Sequence, residues 1–123
     1  MLLLDTSFLI GLEDELAQQQ PGAARAVLAA HRSEAAAVSI VTVGEFAEGF
    51  EDQRRFSEFI GRFQVVQLSR AIAWRTAMMQ TSLSKRLGEN DAWIAATALA
   101  YDATLVARDS AFTRVPRLRY LEF

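Results

Sequence analysis

The chain of 123 residues contains no cysteine and a single histidine, His31. Without cysteine there can be no disulfide, no thiolate nucleophile and no cysteine-containing zinc site. One histidine cannot build a multi-histidine metal centre, and His31 lies in an alanine-rich helical stretch, Ala26 to Arg32, where a surface or boundary position is expected. Long hydrophobic runs are missing too. The longest after the N-terminus, Trp93 to Ala100 interrupted by Thr97, is far too short to cross a bilayer. The opening Leu2-Leu3-Leu4 reaches Asp5 at once, with no basic leader and no extended apolar segment of the secretory kind. No tandem repeat or low-complexity linker divides the sequence, and no EF-hand spacing is present. A soluble, cytoplasmic protein without a membrane partner is therefore expected.

What is present is a hydrophobic chain, 51% apolar by residue, which is too rich in core formers to remain disordered. Its length suits one domain spanning residues 1–123 and is short for two. The net charge of -2 hides an asymmetry. Residues 1–60 carry ten acids and four bases, whereas residues 61–123 carry five acids and nine bases. Lys85, Arg86, Arg108, Arg114, Arg117 and Arg119 are candidate phosphate contacts, with a solvated helix end and a basic tail as the equally simple alternative.

Strand and helix patterns alternate along the chain. Leu2–Leu4 reads as a short strand buried on both faces, ending at Asp5-Thr6-Ser7, which offers N-cap groups. Pro21-Gly22 precedes a helix over Ala23–His31. Ala36–Ile40 reads as a second strand, and Thr42 as the N-cap of a helix, with Glu45 at the capping-box position. Glu48, Glu51 and Asp52 continue that helix toward water. Gln53–Gly61 reads as helix and Phe63–Leu68 as strand. From Ser69 a long helix follows, striped by Ile72, Met79, Leu83 and Leu87, with Trp74, Met78 and Met79 assigned to packing. Gly88 breaks it, and Asp91 opens a helix, Ala92–Ala100, apolar around nearly its whole circumference. Thr104–Ala107 and Leu118–Leu121, after the Pro116 break, complete the strands. The alternation predicts a three-layer α/β/α domain with a mostly parallel central sheet.

Ligands of such sheets bind beyond the C-terminal strand ends. Asp5 and Asp109 each follow a predicted strand, Asp91 opens a helix, and Glu45 lies in the first turns after another strand. Four converging carboxylates repel one another, a difficulty that a hard divalent cation relieves. Mg²⁺, with Mn²⁺ as an alternative, suits an all-oxygen donor set, and can activate water against a phosphate ester without a histidine base. Asp5 and Asp91 are the first choices as direct ligands, with Asp109 completing the shell and Glu45 holding or orienting a water. Thr6, Ser7, Asn90 and Ser110 offer neutral hydrogen-bonding groups around them. Glu45 as a plain helix cap is the structural alternative.

Four segments give the acids a context. These are Leu3-Leu4-Asp5-Thr6-Ser7, Val41-Thr42-Val43-Gly44-Glu45-Phe46, Asn90-Asp91-Ala92-Trp93-Ile94-Ala95-Ala96-Thr97-Ala98-Leu99-Ala100, and Leu105-Val106-Ala107-Arg108-Asp109-Ser110-Ala111-Phe112. In order and spacing they resemble the acidic motifs of PIN-domain ribonucleases, and within these the VapC-type toxins of VapBC toxin–antitoxin pairs. Val115-Pro116 also fits the usual ending, so the resemblance covers the whole chain. It implies an Mg²⁺- or Mn²⁺-dependent endoribonuclease and a cognate VapB-type antitoxin laid across the site. It also implies a homodimer and a toxin–antitoxin hetero-oligomer. Two departures stand out: Ala107 where the family often has threonine, and a short segment from Gly88 to Asp91. The aromatic set Phe56, Phe59, Ile60 and Phe63 is open to either a dimer surface or the core. Two other functions share parts of this reading. One is a regulatory protein whose acidic cleft receives an arginine-rich partner. The other is a DNA nuclease or phosphatase with the same metal chemistry.

Overall fold

The computed structural model describes residues 1–123. Five parallel strands form one sheet: β1 (Leu2–Leu4), β2 (Ala36–Ser39), β3 (Gln64–Val66), β4 (Thr104–Ala107) and β5 (Arg119–Glu122), in the spatial order β3-β2-β1-β4-β5. Six α-helices connect them: α1 (Thr6–Ala17), α2 (Ala23–Ala30), α3 (Ile40–Ala47), α4 (Gln53–Ile60), α5 (Arg70–Ser82) and α6 (Glu89–Ala100). A short 3-10 helix, Ser110–Arg114, precedes β5. The sheet is parallel throughout, and the three-layer arrangement follows the expectation.

Side chains of a strand alternate between faces, so β1 divides its leucines. Leu2 and Leu4, with Val38 and Val106, pack on one side with Phe8, Leu9, Phe46 and Phe59 from α1, α3 and α4. Leu3, Leu105 and Ala107 pack on the other with Met79, Ile94, Ala95 and Phe112. Both faces being covered explains why the strand reads as an unbroken apolar run. The breadth of α6's apolar surface has the same cause, since Ala92 and residues Ile94 to Ala98 are all buried. Phe59 and Ile60 belong to this core, while Phe56 and Phe63 are half-buried at its margin.

Several boundaries differ from the sequence expectation. The helix after β2 begins at Ile40, and Ser39 is its N-cap, its hydroxyl accepting a hydrogen bond from Val41 N at 3.1 Å. Thr42 is thus inside the helix and fully buried, and Glu45 is too far along to form a capping box. The strand's last polar residue captured the helix start before Thr42 could. Asp52 likewise caps α4 instead of extending α3, while Glu48 and Glu51 do face water. α6 starts at Glu89, which places Asp91 in its first turn. Trp74 and Met78, expected in the packing, are 68% and 43% exposed on the outer side of α5, whereas Met79 is buried. His31 sits at the surface with Nδ1 2.6 Å from Glu34 Oε2. No helix is long and apolar enough to cross a membrane.

The outward turn of Trp74 gives a test of the packing. Leu105→Ala, in the covered strand β4, is expected to destabilise the protein by about 2–5 kcal/mol in urea denaturation. Trp74→Ala should change stability by no more than about 0.5 kcal/mol, the reverse of what a core tryptophan would give.

Candidate functional site

β1, β2 and β3 build outward in one direction, and the chain then crosses back to lay β4 on the other side of β1. The adjacent C-terminal ends of β1 and β4 therefore form the topological switch point, where a crevice opens in doubly wound sheets. Backbone bonds tie the two ends together. Asp5 N donates to Val106 O at 3.0 Å, and Arg108 N donates to Ser7 Oγ at 3.2 Å.

Asp5 leaves β1 as the N-cap of α1. Its Oδ2 accepts from Ser7 N at 3.3 Å and from Ser7 Oγ at 2.9 Å, and the residue is 7% exposed. Burial raises its carboxyl above the usual carboxylate range. The Ser7 and Thr6 hydrogen bonds pull the other way, and the charge of Glu45 adds to the rise. Asp109 follows β4 as the N-cap of the 3-10 helix, accepting from Ala111 N through Oδ1 at 2.8 Å. Asp5 and Asp109 thus do act as caps, each through one oxygen. Helix N-termini favour anions there, but a cap does not account for their mutual approach.

Glu45 is held differently. Its Oε1 accepts from Thr6 Oγ1 at 2.7 Å, and its Oε2 from Asn90 Nδ2 at 3.1 Å. One carboxylate thereby joins the first turns of α1 and α6 to the last turn of α3. This is the tertiary role that replaces the capping box. Asp91 lies one residue beyond Asn90. Its carboxyl is pushed up to about 6 by burial first, then by the charges of Asp5, Asp109 and Glu45, and no hydrogen bond offsets them. The fold thus brings the four acids within electrostatic reach of one another. Of the four neutral residues expected around them, Thr6, Ser7 and Asn90 bond to the acids. Ser110 only accepts from Thr113 Oγ1 through its carbonyl.

As the side chains stand, no three of them close on a point as a ligating cluster of His, Cys, Asp or Glu would. The donor chemistry nevertheless fits a hard cation. Mg²⁺ keeps several waters and needs only one or two direct carboxylates, so acids spaced around it can act through water. The elevated Asp91 carboxyl reflects its burial first and the neighbouring acidic charges second.

Two aromatic contacts at the site had no local sequence signal. The Tyr120 hydroxyl, 3.0 Å from Asp109 O and 3.2 Å from Ala107 O, secures the segment carrying Asp109. Burial, and then the charges of Glu122, Asp109 and Asp5, push it up to about 12, so it remains a donor. The Arg108 guanidinium stacks 4.3 Å from the centre of the Phe123 ring, which itself packs edge-on against Phe8. The remaining basic residues separate by position. Arg114 is in the 3-10 helix after Asp109, and Arg86 precedes α6. Arg119 opens β5 opposite Thr104, at the N-terminal edge of the sheet, and pairs with Asp102 at 3.0 Å. It is therefore removed from the acidic site. Beside Glu45 a cleft of about 520 Å³ is lined by Glu13, Glu51, Asp52 and Arg55 among the apolar Ile10, Phe46 and Phe50.

The PIN domain family profile matches residues 2–118. Solved structures agree with the fold. A chain of VapBC2 from Rickettsia felis, crystallised with a promoter DNA fragment, superposes with a TM-score of 0.81 at 21% identity, covering 99% of this chain and 98% of that one. DNA-bound VapBC from Salmonella typhimurium gives 0.80 at 22%, with 98% and 96% covered. A toxin–antitoxin complex from Klebsiella pneumoniae gives 0.75 at 24%, again with 98% and 96% covered. At these identities the likeness is one of fold. No curated protein matches the sequence significantly.

The electrostatics of Asp91 predict a pH effect in metal-free protein. Its folded value, about 6, exceeds the ordinary 3.8, so its protonated form favours folding. That contribution is complete below the unfolded value and is lost as pH rises through the folded one. Asp91→Asn should accordingly raise the melting temperature relative to wild type at pH 7 in EDTA, with the difference shrinking as pH falls toward 4. A constant difference across that range would contradict the assignment.

Proposed function

The chain belongs to the PIN-domain family, and on that premise we propose that it is a divalent-metal-dependent endoribonuclease serving as the toxin of a toxin–antitoxin pair. The observation that carries the reading is the convergence of Asp5, Glu45, Asp91 and Asp109 at the switch point, marked by the raised Asp91 carboxyl. Asp5 and Asp91 would hold Mg²⁺ or Mn²⁺ directly, with Asp109 completing its surroundings. When bound, such a cation lowers the pKa of a water and offsets charge on phosphate oxygens.

The chain's own residues supply the remainder. Glu45, fixed by Thr6 and Asn90, cannot rotate freely and so presents a carboxylate in a set direction. It would accept a hydrogen bond from the attacking water and orient it toward phosphorus. Ser7 steadies Asp5, and Tyr120 steadies the backbone of Asp109. The charge of Arg108, carried on the Phe123 ring beside these acids, is suited to an RNA phosphate flanking the scissile one. Attack of water with departure of the 3′ oxygen would leave 5′-phosphate and 3′-hydroxyl ends.

The cleft beside Glu45 supports the partner half of the reading. Its Glu13, Glu51 and Asp52 carboxylates, set among Ile10, Phe46 and Phe50, match a segment presenting arginine and apolar side chains. A cognate antitoxin of that character would cover Glu45 and exclude RNA. The structural relatives from VapBC complexes favour the same kind of partner. Assembly as a homodimer, and with antitoxin as a hetero-oligomer in the cytoplasm, is part of this proposal. Partner binding as the sole function is the second reading, motivated by the same acidic cleft.

EDTA should abolish RNA cleavage, and Mg²⁺ or Mn²⁺ should restore it. Glu45→Gln is expected to lower the rate by about a hundredfold, as loss of a water-orienting carboxylate would. Cleavage that persists in excess EDTA, or in Asp5→Asn/Asp91→Asn, would refute the metal-dependent reading. Side-by-side assays on RNA, single-stranded DNA and a phosphomonoester should show a preference for RNA. Arg108→Ala should weaken RNA binding and reduce its salt dependence by about one counterion, leaving the cut position unchanged. A changed cut position would instead make Arg108 a base-reading residue.

A further inference from the structure

α6 carries both Asn90 and Asp91 in its first turn, yet its N-cap, Gly88, has no side chain with which to fix that turn. The preceding residues, Leu83 to Leu87, form no regular element. The only charged pair there joins two exposed side chains, Arg86 and Glu89, at 3.8 Å. Glu45 holds the turn from the site side through Asn90, and the anchor on the loop side comes from α5. Gln80 is 4% exposed, on the inner side of that helix with Ile72, Thr76 and Met79. Its Nε2 donates to Leu87 O at 2.9 Å, and its Oε1 accepts from Leu87 N at 2.9 Å. Leu87 is itself 4% exposed. One buried amide thus satisfies both backbone groups of the residue immediately before the cap, fixing the peptide planes on either side of Leu87. Gly88 O then accepts from Ala92 N at 2.9 Å and starts the helix.

We propose that Gln80 is the positioning residue for Asp91: its two-point hold on Leu87 sets the direction in which the first turn of α6 delivers Asn90 and Asp91 to the site. The consequence for cation binding rests on the metal-dependent reading above; the hold on Asp91 does not. A polar residue buried at this place needs both its groups matched, and no other backbone in the loop matches them. Methionine has nearly the same length and shape but neither hydrogen bond. Glutamate keeps the acceptor for Leu87 N and loses the amide donor.

The test compares Gln80→Met and Gln80→Glu with wild type in the full chain. Backbone resonances are followed first, without metal. Gln80→Met should shift the Asn90 and Asp91 amides and speed their hydrogen exchange, leaving Ala111, at the Asp109 cap, unmoved. Mn²⁺ titration should then show affinity weakened by about tenfold, the scale typical of losing an outer support of a metal site, with Gln80→Glu intermediate. Folded Gln80→Met with unmoved Asn90 and Asp91 resonances would overturn the proposal. So would equal movement at Ala111, or a lower melting temperature with unchanged Mn²⁺ affinity, since a merely structural glutamine predicts those. If Gln80→Met fails to fold, Gln80→Glu is held to the same criteria at Asn90, Asp91 and Ala111. Wild type that binds no Mn²⁺ while Gln80→Met moves Asn90 and Asp91 alone would reject the metal reading and uphold the role of Gln80.

Discussion

Carboxylates brought together at one edge of a sheet repel each other, and much of the structure works against that repulsion. Its clearest sign is Asp91, raised by burial and by three neighbouring acids with no hydrogen bond in compensation. The other acids are each restrained by something specific. Asp5 is tied to Ser7, Asp109 to the start of the 3-10 helix, and Glu45 to two helices at once. Removing these ties would let the acids separate into solvent, where their charges are better hydrated. The ties keep an unfavourable electrostatic arrangement in place.

The rigidity they need comes from the covered sheet. β1 is at its centre, with neighbours on both sides and apolar layers on both faces. A carboxylate attached to the end of such a strand has little freedom to retreat. The switch point then determines which ends meet: β1 and β4 are adjacent although about a hundred residues apart in the chain. Aromatic side chains reinforce the same edge, Tyr120 beneath Asp109 and Phe123 beneath Arg108. The last strand thus contributes to the site without supplying an acid to it.

Several features were legible before folding because they depend on nearest neighbours. Leu2–Leu4 and Thr104–Ala107 announce buried strands by continuous apolar runs, and Ser69 marks a helix start that the structure reproduces. Where two neighbouring residues could each do the same job, local reasoning failed. Both Ser39 and Thr42 can cap a helix, and only the end of β2 decides for Ser39. Trp74 and Met78 look like core residues by composition, but α5 turns them outward because Ile72, Thr76, Met79 and Gln80 occupy its inner side.

The sequence by itself determined the order of the elements, the places of Asp5 and Asp109 just past strand ends, and the exclusion of thiol and multi-histidine chemistry. These follow from residue type and short-range periodicity, which act within a few residues along the chain. Tertiary structure decided what the acids do to one another. It gave Glu45 the partners Thr6 and Asn90, raised the Asp91 carboxyl, put Arg119 at the far edge and Arg108 at the near one, and matched Gln80 to Leu87. Hydrogen bonds and charge interactions depend on distance in space, and at separations of tens of residues that distance exists only once the sheet has closed.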